Sequence, residues 1–444
     1  MKRLGLLWLF SALVYYGNAQ ERLELTLEQA QEIALANNFT LKDNQLDTEI
    51  AEATVKETIS IGLPKIDGRL NYTDNPVLQE SPIPAIFFDP NAAEGDLIFL
   101  PFGAKKTSAA NISLDQLLFD GTYLLGIKAA RDFVKLREKR EKITERDIRF
   151  DVAQAYMGAL IAQENIDIIE KNISNVSQLK SEVEATYDAG FVEQLDVDRL
   201  VLSLANLEVQ KNSLERIKQL NYNVLKNTLS VPTSTEIVLT EAIATMENDL
   251  MDQAILLEDP SEWPEYEVLR IQEELETKNI KQYKLGYLPK VRLFADAGYF
   301  NGRDSFSDLY FEGNRWFGAF NYGVNVNIPI FDGNMKKAQI RNATAVRDKV
   351  SNQLLQLDQQ VDIAVANARI NYQNALAQVK SQRDNIQLAE KIYSVTQIKY
   401  REGVGSSLEL NQAEQELYTT QQNYINALYE LLLAKVDLEK ALGK

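Results

Sequence analysis

Between Asn334 and Glu402 the chain runs for 69 residues without a glycine or a proline. Between Thr122 and Ala189 it runs for 68 residues with no proline and only Gly126 and Gly158. Glycine and proline are the residues that end helices. Each stretch therefore predicts one continuous helix about 100 Å long, at ~1.5 Å per residue, which outruns any single globular core. The two stretches are also copies, because the motifs around them recur in unchanged order. Leu63-Pro64-Lys65-Ile66 returns as Leu288-Pro289-Lys290-Val291. Leu118-Phe119-Asp120-Gly121 returns as Ile330-Phe331-Asp332-Gly333. Tyr187-x-x-Gly190-x4-Leu195-Asp196 returns as Tyr400-x-x-Gly403-x4-Leu408-Glu409. The chain is one unit stated twice: a strand pair followed by a very long helical hairpin.

Met1-Lys2-Arg3, the apolar Leu4 to Val14 and the small Gly17-Asn18-Ala19 make residues 1–19 an expected secretory signal, too short for a convincing spanning helix. The remainder holds 45 basic and 64 acidic side chains, a formal charge of −19. That disfavours nucleic acid and anionic surfaces as ligands. Cys and His are both absent. A thiol nucleophile, a Cys/His zinc cage and imidazole acid–base chemistry are thereby excluded, and no metal or cofactor is expected. No apolar run of about 18 residues follows the signal, so no spanning helix is expected.

Thr26-Leu27-Glu28-Gln29 reads as a capping box that opens a helix, with a break near Asn37-Asn38 and an end at about Ile61. The period then changes to two. Ile66, Gly68, Leu70 and Tyr72 alternate with Lys65, Asp67, Arg69 and Asn71. Pro76, Pro82, Pro84, Pro90 and Pro101 argue against regular structure over 73–106. Ala110, Ile112 and Leu114 then alternate with Asn111, Ser113 and Asp115. The first repeat is expected over 20–230, with its strand pair at about 64–119 and its helical hairpin at about 121–229. A mixed linker at 231–264 follows. The second repeat is expected over 265–444, with its strand pair at about 289–330 and its hairpin at about 333–442. There Val291, Leu293, Ala295, Ala297 and Tyr299 oppose Lys290, Arg292 and Asp296, and 301–316 reads as a polar-aromatic loop.

Alternation of this kind commonly marks a sheet half-buried on its own core. Here the apolar side carries no charge in any of the four runs, while the other side carries Lys, Arg, Asp and Asn in series. Aromatic residues gather in the flanking loops, at Phe87, Phe88, Phe99, Phe102, Tyr310, Phe311, Trp316 and Phe317, as at a membrane interface. In hydrocarbon no strand edge stays unpaired, and four strands are too few to close a barrel. Two chains would pool eight strands and three would pool twelve, the second with room for water around the charged residues.

The helices also admit two readings, a coiled-coil spacer or a wall of helices. Broad polar faces such as Gln353, Gln356, Gln359 and Gln360 suit either. Leu354, Leu355, Val361, Ile363, Val365 and Ile370 look scattered rather than held to one seam. That pattern favours a helix with neighbours on two sides. The Tyr-x-x-Gly-x4-Leu motif sits where each long helix turns back. Gly190 and Gly403 suit the left-handed residue that ends a helix, and Leu195 and Leu408 are expected on the packed side of the returning helix.

Taken together, the Leu25-Thr26-Leu27-Glu28-x-Ala30 opening, the Leu-Pro-Lys strand starts, the Phe-Asp-Gly strand exits and both Tyr-x-x-Gly turns resemble the TolC-like outer membrane efflux proteins, over nearly all of the chain. The resemblance implies a mainly α fold with a small antiparallel β part. It implies a homotrimer in the outer membrane of a Gram-negative bacterium, with a twelve-stranded barrel in the lipid and an α-helical barrel crossing the periplasm. Lys65, Asp67, Arg69, Lys290, Arg292 and Asp296 would line the barrel lumen. Tyr187, Gly190, Leu195, Tyr400, Gly403 and Leu408 would meet a periplasmic adaptor protein that joins the duct to an inner-membrane pump. Glu409 would face a gate at the entrance, with Gln412 one turn on and Gly405 where some relatives carry a basic residue. The implied function is a passive exit duct for efflux or type I secretion. The alternative from the residues alone is a periplasmic coiled-coil scaffold or binding protein without a membrane barrel. The carboxylate pairs Asp196/Asp198 and Asp147/Asp151 lie among dozens of acids and give no sign of an enzyme.

Overall fold

The structure is a computed structural model and describes residues 22–243, 251, 253–311 and 315–444. The expected signal at 1–19 lies outside the described residues. The chain divides into two compact units. One gathers residues up to 46, 138–268 and 354–444, and the other gathers 47–137 and 269–353. Among the described residues no helix is long and apolar enough to cross a membrane.

Both long stretches fold as single helices. The first long helix is Gly121–Asp188, with 68 residues, and its return helix is Gln194–Thr228, with 35. The second long helix is Met335–Arg401, with 67 residues, and its return helix is Ser407–Ala441, again with 35. The duplication is thus present in the element lengths as well as in the motifs. Ahead of the first copy, Thr26 caps the helix Leu27–Asn37 with the reciprocal box: Thr26 Oγ1 accepts the Gln29 N–H, and Gln29 Oε1 accepts the Thr26 N–H. Asn38 then separates it from the helix Phe39–Ser60.

The described strands are β1 (Arg22–Leu25), β2 (Lys65–Asp74), β3 (Glu80–Pro84), β4 (Leu97–Pro101), β5 (Lys106–Phe119), β6 (Glu236–Leu239), β7 (Lys290–Arg303) and β8 (Phe317–Asn327). In the unit built from 47–137 and 269–353, four of them form one antiparallel sheet in the order β2-β5-β7-β8. The loops joining β2 to β5 and β7 to β8 leave the same end of this sheet. Tyr72, Phe306, Tyr310 and Trp316 stack there in a chain of ring contacts 5.0–6.4 Å between centroids.

Two expectations for these loops need correction. The proline-rich segment is not irregular, because β3 and β4 pair as an antiparallel ribbon inside it. Phe102 N–H donates to Gln79 O and Ala85 N–H to Asp96 O, which fixes the bonded pairs at odd positions of β3. Pro82, Pro84 and Pro101 all fall on the other set of positions. There the backbone nitrogen points outward and the missing donor costs the ladder nothing. The segment 301–316 is likewise not all loop. β7 runs on to Arg303, and Ser305 caps a short helix, Phe306–Tyr310.

In the other unit, β1 pairs in parallel with β6. The fully buried Tyr156 of the first long helix donates its hydroxyl to Leu25 O at 3.0 Å. Ser261 and Trp263 hold the C-terminal backbone through Leu442 O and Ala441 O. The segment between the repeats therefore ties down both described ends of the chain.

The apolar positions of the second long helix are not held to one seam but sort into two stripes, one buried and one exposed. Val361, Val365, Ala368, Tyr372 and Val379 are buried and recur at spacings of three, four and seven, as in one seam. Leu355, Ile363, Ile370 and Leu388 form a second stripe, and all are exposed. At ~100° per residue the two stripes lie on opposite sides of the helix. The first return helix repeats this division. Val197, Leu200, Leu207 and Leu225 are buried, while Leu202, Val209, Leu220 and Val224 are exposed. Periodicity sees both stripes at once and cannot say which is covered.

Candidate functional site

The first candidate surface is the four-stranded sheet. Its register gathers every charged position named from the sequence onto one face. Lys65, Asp115 and Phe294 lie in one cross-strand row. Asp67, Ser113, Asp296 and Asn321 form the next, and Arg69, Asn111 and Gly298 the one after. Lys290 and Arg292 continue the same face at the helix end, opposite Asn327 and Asn325. Opposite charges alternate along it. Arg292 pairs with Asp115 across the strands, and Lys290 Nζ lies 2.9 Å from Asp120 Oδ2. Phe294 is one of several apolar residues that also register on this face, with Leu117 beside Arg292 and Phe300 and Phe317 in the row of Asn71; the Phe294 ring lies over Gly323, where an added Cβ would sit 2.9 Å from Phe294 Cζ.

The middle of the opposite face is hydrocarbon, with Gln116 beside Leu293 at one end and Ser108 and Asn301 beside Tyr72 at the other. Its rows are Ile66, Leu114, Ala295 and Tyr322, then Gly68, Ile112, Ala297 and Phe320. A bulge at Leu118 keeps Phe119 in this face, beside Val291. No described residue covers it: Leu70 is 84% exposed and Phe320 69%. β2 and β8 are outer strands, each paired on one side only. A contiguous apolar sheet face, uncovered and with two open edges, does not persist in water.

The second candidate surface is the pair of helical turns. Gly190 has φ +82° and Gly403 has φ +73°. Each turn closes with the same two bonds. Gly190 N–H donates to Tyr187 O and Phe191 N–H to Thr186 O. Gly403 N–H donates to Tyr400 O and Val404 N–H to Lys399 O. This is the Schellman arrangement, and it explains why each motif needs its glycine three residues after the tyrosine. Gly405 has a different reason to be glycine, since a Cβ there would lie 3.1 Å from Tyr400 N. Replacing Gly190 or Gly403 by alanine is expected to cost about 1–2 kcal/mol through left-handed strain, read as a lowered unfolding temperature. Gly126→Ala, inside the first long helix, is the control and should be neutral or slightly stabilising.

The tyrosines and leucines of these motifs do not behave alike. Tyr400 packs on the apolar cluster of Val183, Val197, Leu200 and Leu410, whereas Tyr187 is exposed. Leu195 and Leu408 are each 52% exposed, against the expectation that they pack. Val197 and Leu410, two residues later, are the buried ones. Two residues turn a helix by about 200°, so only one of each pair faces inward. Sequence reasoning also missed Phe191 and Val404, which are 82% and 78% exposed at matching positions of the two turns. The available signal was an apolar residue directly after each motif glycine.

Glu409 is exposed and completes a capping box with Ser406. The Glu409 N–H donates to Ser406 Oγ at 3.2 Å, and the Ser406 N–H donates to the Glu409 carboxylate. Gln412, one turn on, is also exposed. Between the two hairpins Arg199 donates to Ser407 Oγ, and Arg401 lies 2.9 Å from Glu182 Oε2. Asp147 and Asp198 are engaged with Arg146 and Gln194. Among the described residues no three acids converge as a metal cage.

The family model described as outer membrane efflux protein matches residues 30–229 and 264–444, which is most of the chain and leaves out the segment between the repeats. Outer membrane protein TolC of Vibrio cholerae serotype O1 is 22% identical over 342 residues, covering 76% of each chain. The proteases secretion protein PrtF of Dickeya chrysanthemi is 21% identical over 319 residues, covering 69% of this chain and 62% of that one. The crystal structure of the outer membrane protein VceC from Vibrio cholerae superimposes with a TM-score of 0.68 at 17% identity. It covers 94% of this chain and 96% of that one.

Proposed function

This chain belongs to the outer membrane efflux protein family, and on that premise we propose that it is the passive exit duct of a tripartite efflux or type I secretion system. It resides in the outer membrane of a Gram-negative bacterium, and its helical portion serves in the periplasm. The observation that carries the reading is the sheet, with its hydrocarbon face uncovered, its charged face in series and both edges open. Lipid takes the first face, water takes the second, and further copies of the chain take the edges. Three copies supply twelve strands, wide enough for a wetted bore lined by Lys65, Asp67, Arg69, Lys290, Arg292 and Asp296. The exposed stripes on the first return helix and the second long helix support the same assembly, since each helix then has a neighbour on both sides. A scaffold whose sheet packs on its own core is not favoured, because among the described residues nothing packs on the apolar face.

The tips at Tyr187, Gly190, Leu195, Tyr400, Gly403 and Leu408, together with Phe191 and Val404, are the docking surface for a periplasmic adaptor, which links the duct to an inner-membrane pump. The second hairpin narrows the entrance, and Glu409 and Gln412 face the constriction. The pump supplies the energy and the choice of cargo. Two measurements test this. Purified protein should need detergent for extraction and run as a heat-modifiable trimer; extraction in plain buffer as a monomer would remove the duct reading. In planar bilayers Glu409→Ala should lower cation selectivity, because three carboxylates around one bore attract cations. Unchanged selectivity would take Glu409 out of the pore.

A further inference from the structure

The two return helices meet just beyond the turns, and one acidic side chain is sealed inside that contact. Glu414, on the second return helix, is 1% exposed. Its Oε1 accepts from Ser203 Oγ of the first return helix at 2.8 Å and from Tyr418 OH of its own helix at 2.8 Å. Its Oε2 is buried and has no hydrogen-bond partner among the described residues. The adjoining cluster is apolar: Leu200 and Leu207 come from the first return helix, and Val176, Leu179 and Val183 from the first long helix. The second long helix contributes Tyr393, whose hydroxyl is pushed up to about 12 by burial and by the Glu414 charge. The cations in this region are committed elsewhere, Arg199 to Ser407 and Arg401 to Glu182. Among the described residues none pairs with Glu414.

A carboxylate so placed has no counter-charge and has donors on one oxygen only, so burial favours the neutral acid. We propose that Glu414 is a proton-operated lock between the two return helices, holding them together when protonated and releasing them when ionised. The proposal rests on the duct reading, in which the second hairpin must part from the first to widen the entrance. Burial pushes the packed Glu414 carboxyl above its ordinary 4.5, against the pull of the Tyr418 and Ser203 hydroxyls. With the helices parted and water admitted it returns to that ordinary value. The packed arrangement therefore binds the proton more tightly. Its extra stability is complete below the ordinary value and is lost as pH climbs through the raised one. Each pKa unit of elevation shifts the packed-to-parted ratio about tenfold per copy. Glu409 and Glu416, on the same helix, are exposed and keep their water.

The test compares the parent trimer with Glu414→Gln in planar bilayers from pH 4 to pH 8, with Glu416→Gln, an exposed acid on the same helix, as the control that should titrate like the parent. The amide keeps the neutral shape and cannot ionise. Parent conductance should rise with pH by roughly tenfold per unit of elevation, and Glu414→Gln should stay at the parent's low-pH level throughout. A Glu414→Gln profile that titrates like the parent overturns the lock. A parent that conducts at no pH overturns the duct reading and the lock with it. A second measurement does not depend on conductance. The chain has no cysteine, so Leu202→Cys and Gln415→Cys, on the walls of the groove between the return helices, can carry one pair of spin labels per copy, read within a copy by mixing a minority of labelled chains into unlabelled trimers. Their separation should lengthen with rising pH, and should stay fixed when Glu414→Gln is added. A separation that ignores pH in the Glu414 background also overturns the lock.

Discussion

Ile112→Arg is expected to abolish assembly in the outer membrane, while Ser113→Arg, one residue away, assembles normally. Ile112 sits mid-strand in the apolar face, in the row with Gly68, Ala297 and Phe320, and is 60% exposed. An arginine at the middle of a barrel's lipid face costs about 2–4 kcal/mol. A trimer carries the change three times, or about 6–12 kcal/mol in all. That is as large as the whole stability of an ordinary domain. Ser113 lies in the opposite face, between Asp67 and Asp296, where a guanidinium finds water and two carboxylates. The check is the yield of heat-modifiable trimer in the detergent-extracted outer membrane. Equal yields for the two variants would mean that the apolar face does not meet lipid.

Phe191→Asp combined with Val404→Asp is expected to eliminate export while leaving trimer yield and single-channel conductance intact. These side chains stand out from the two turns, 82% and 78% exposed, and neither takes part in the bonds that close its turn. The bonds that close each turn run between backbone groups, and neither the capping box of Ser406 and Glu409 nor the Arg199–Ser407 and Arg401–Glu182 contacts use Phe191 or Val404, so the tips should keep their shape. A central apolar anchor at an interface is worth at least about 2 kcal/mol, roughly thirtyfold in affinity. Each copy presents two tips, so the losses accumulate around the assembly. Titrating the partner adaptor against detergent-solubilised trimer measures the effect. Parental affinity in the double variant would place adaptor docking away from the turns.

Much of the fold was legible because its signals are local. A long helix is visible as the lack of Gly and Pro between Asn334 and Glu402, and a strand as the two-residue period of Lys65 to Tyr72. The Thr26 box and the motif glycines are likewise rules that span three or four residues. The β3–β4 ribbon was missed because counting prolines ignores their parity. Pro82, Pro84 and Pro101 are harmless only because pairing puts all three on the outward-facing set.

The sequence by itself determined the long helices, the four strands of the main sheet, their duplication, the character of each sheet face and the residues that turn each helix. Those follow from backbone sterics and side-chain period, which neighbours along the chain suffice to set. Only the tertiary structure decided what is covered. It buried Val197 and Leu410 and left Leu195 and Leu408 outside, split each apolar helix into a packed and an open stripe, and sealed Glu414 beside Ser203. Burial depends on which distant helix lies alongside, and a side chain two residues from a buried one points the other way.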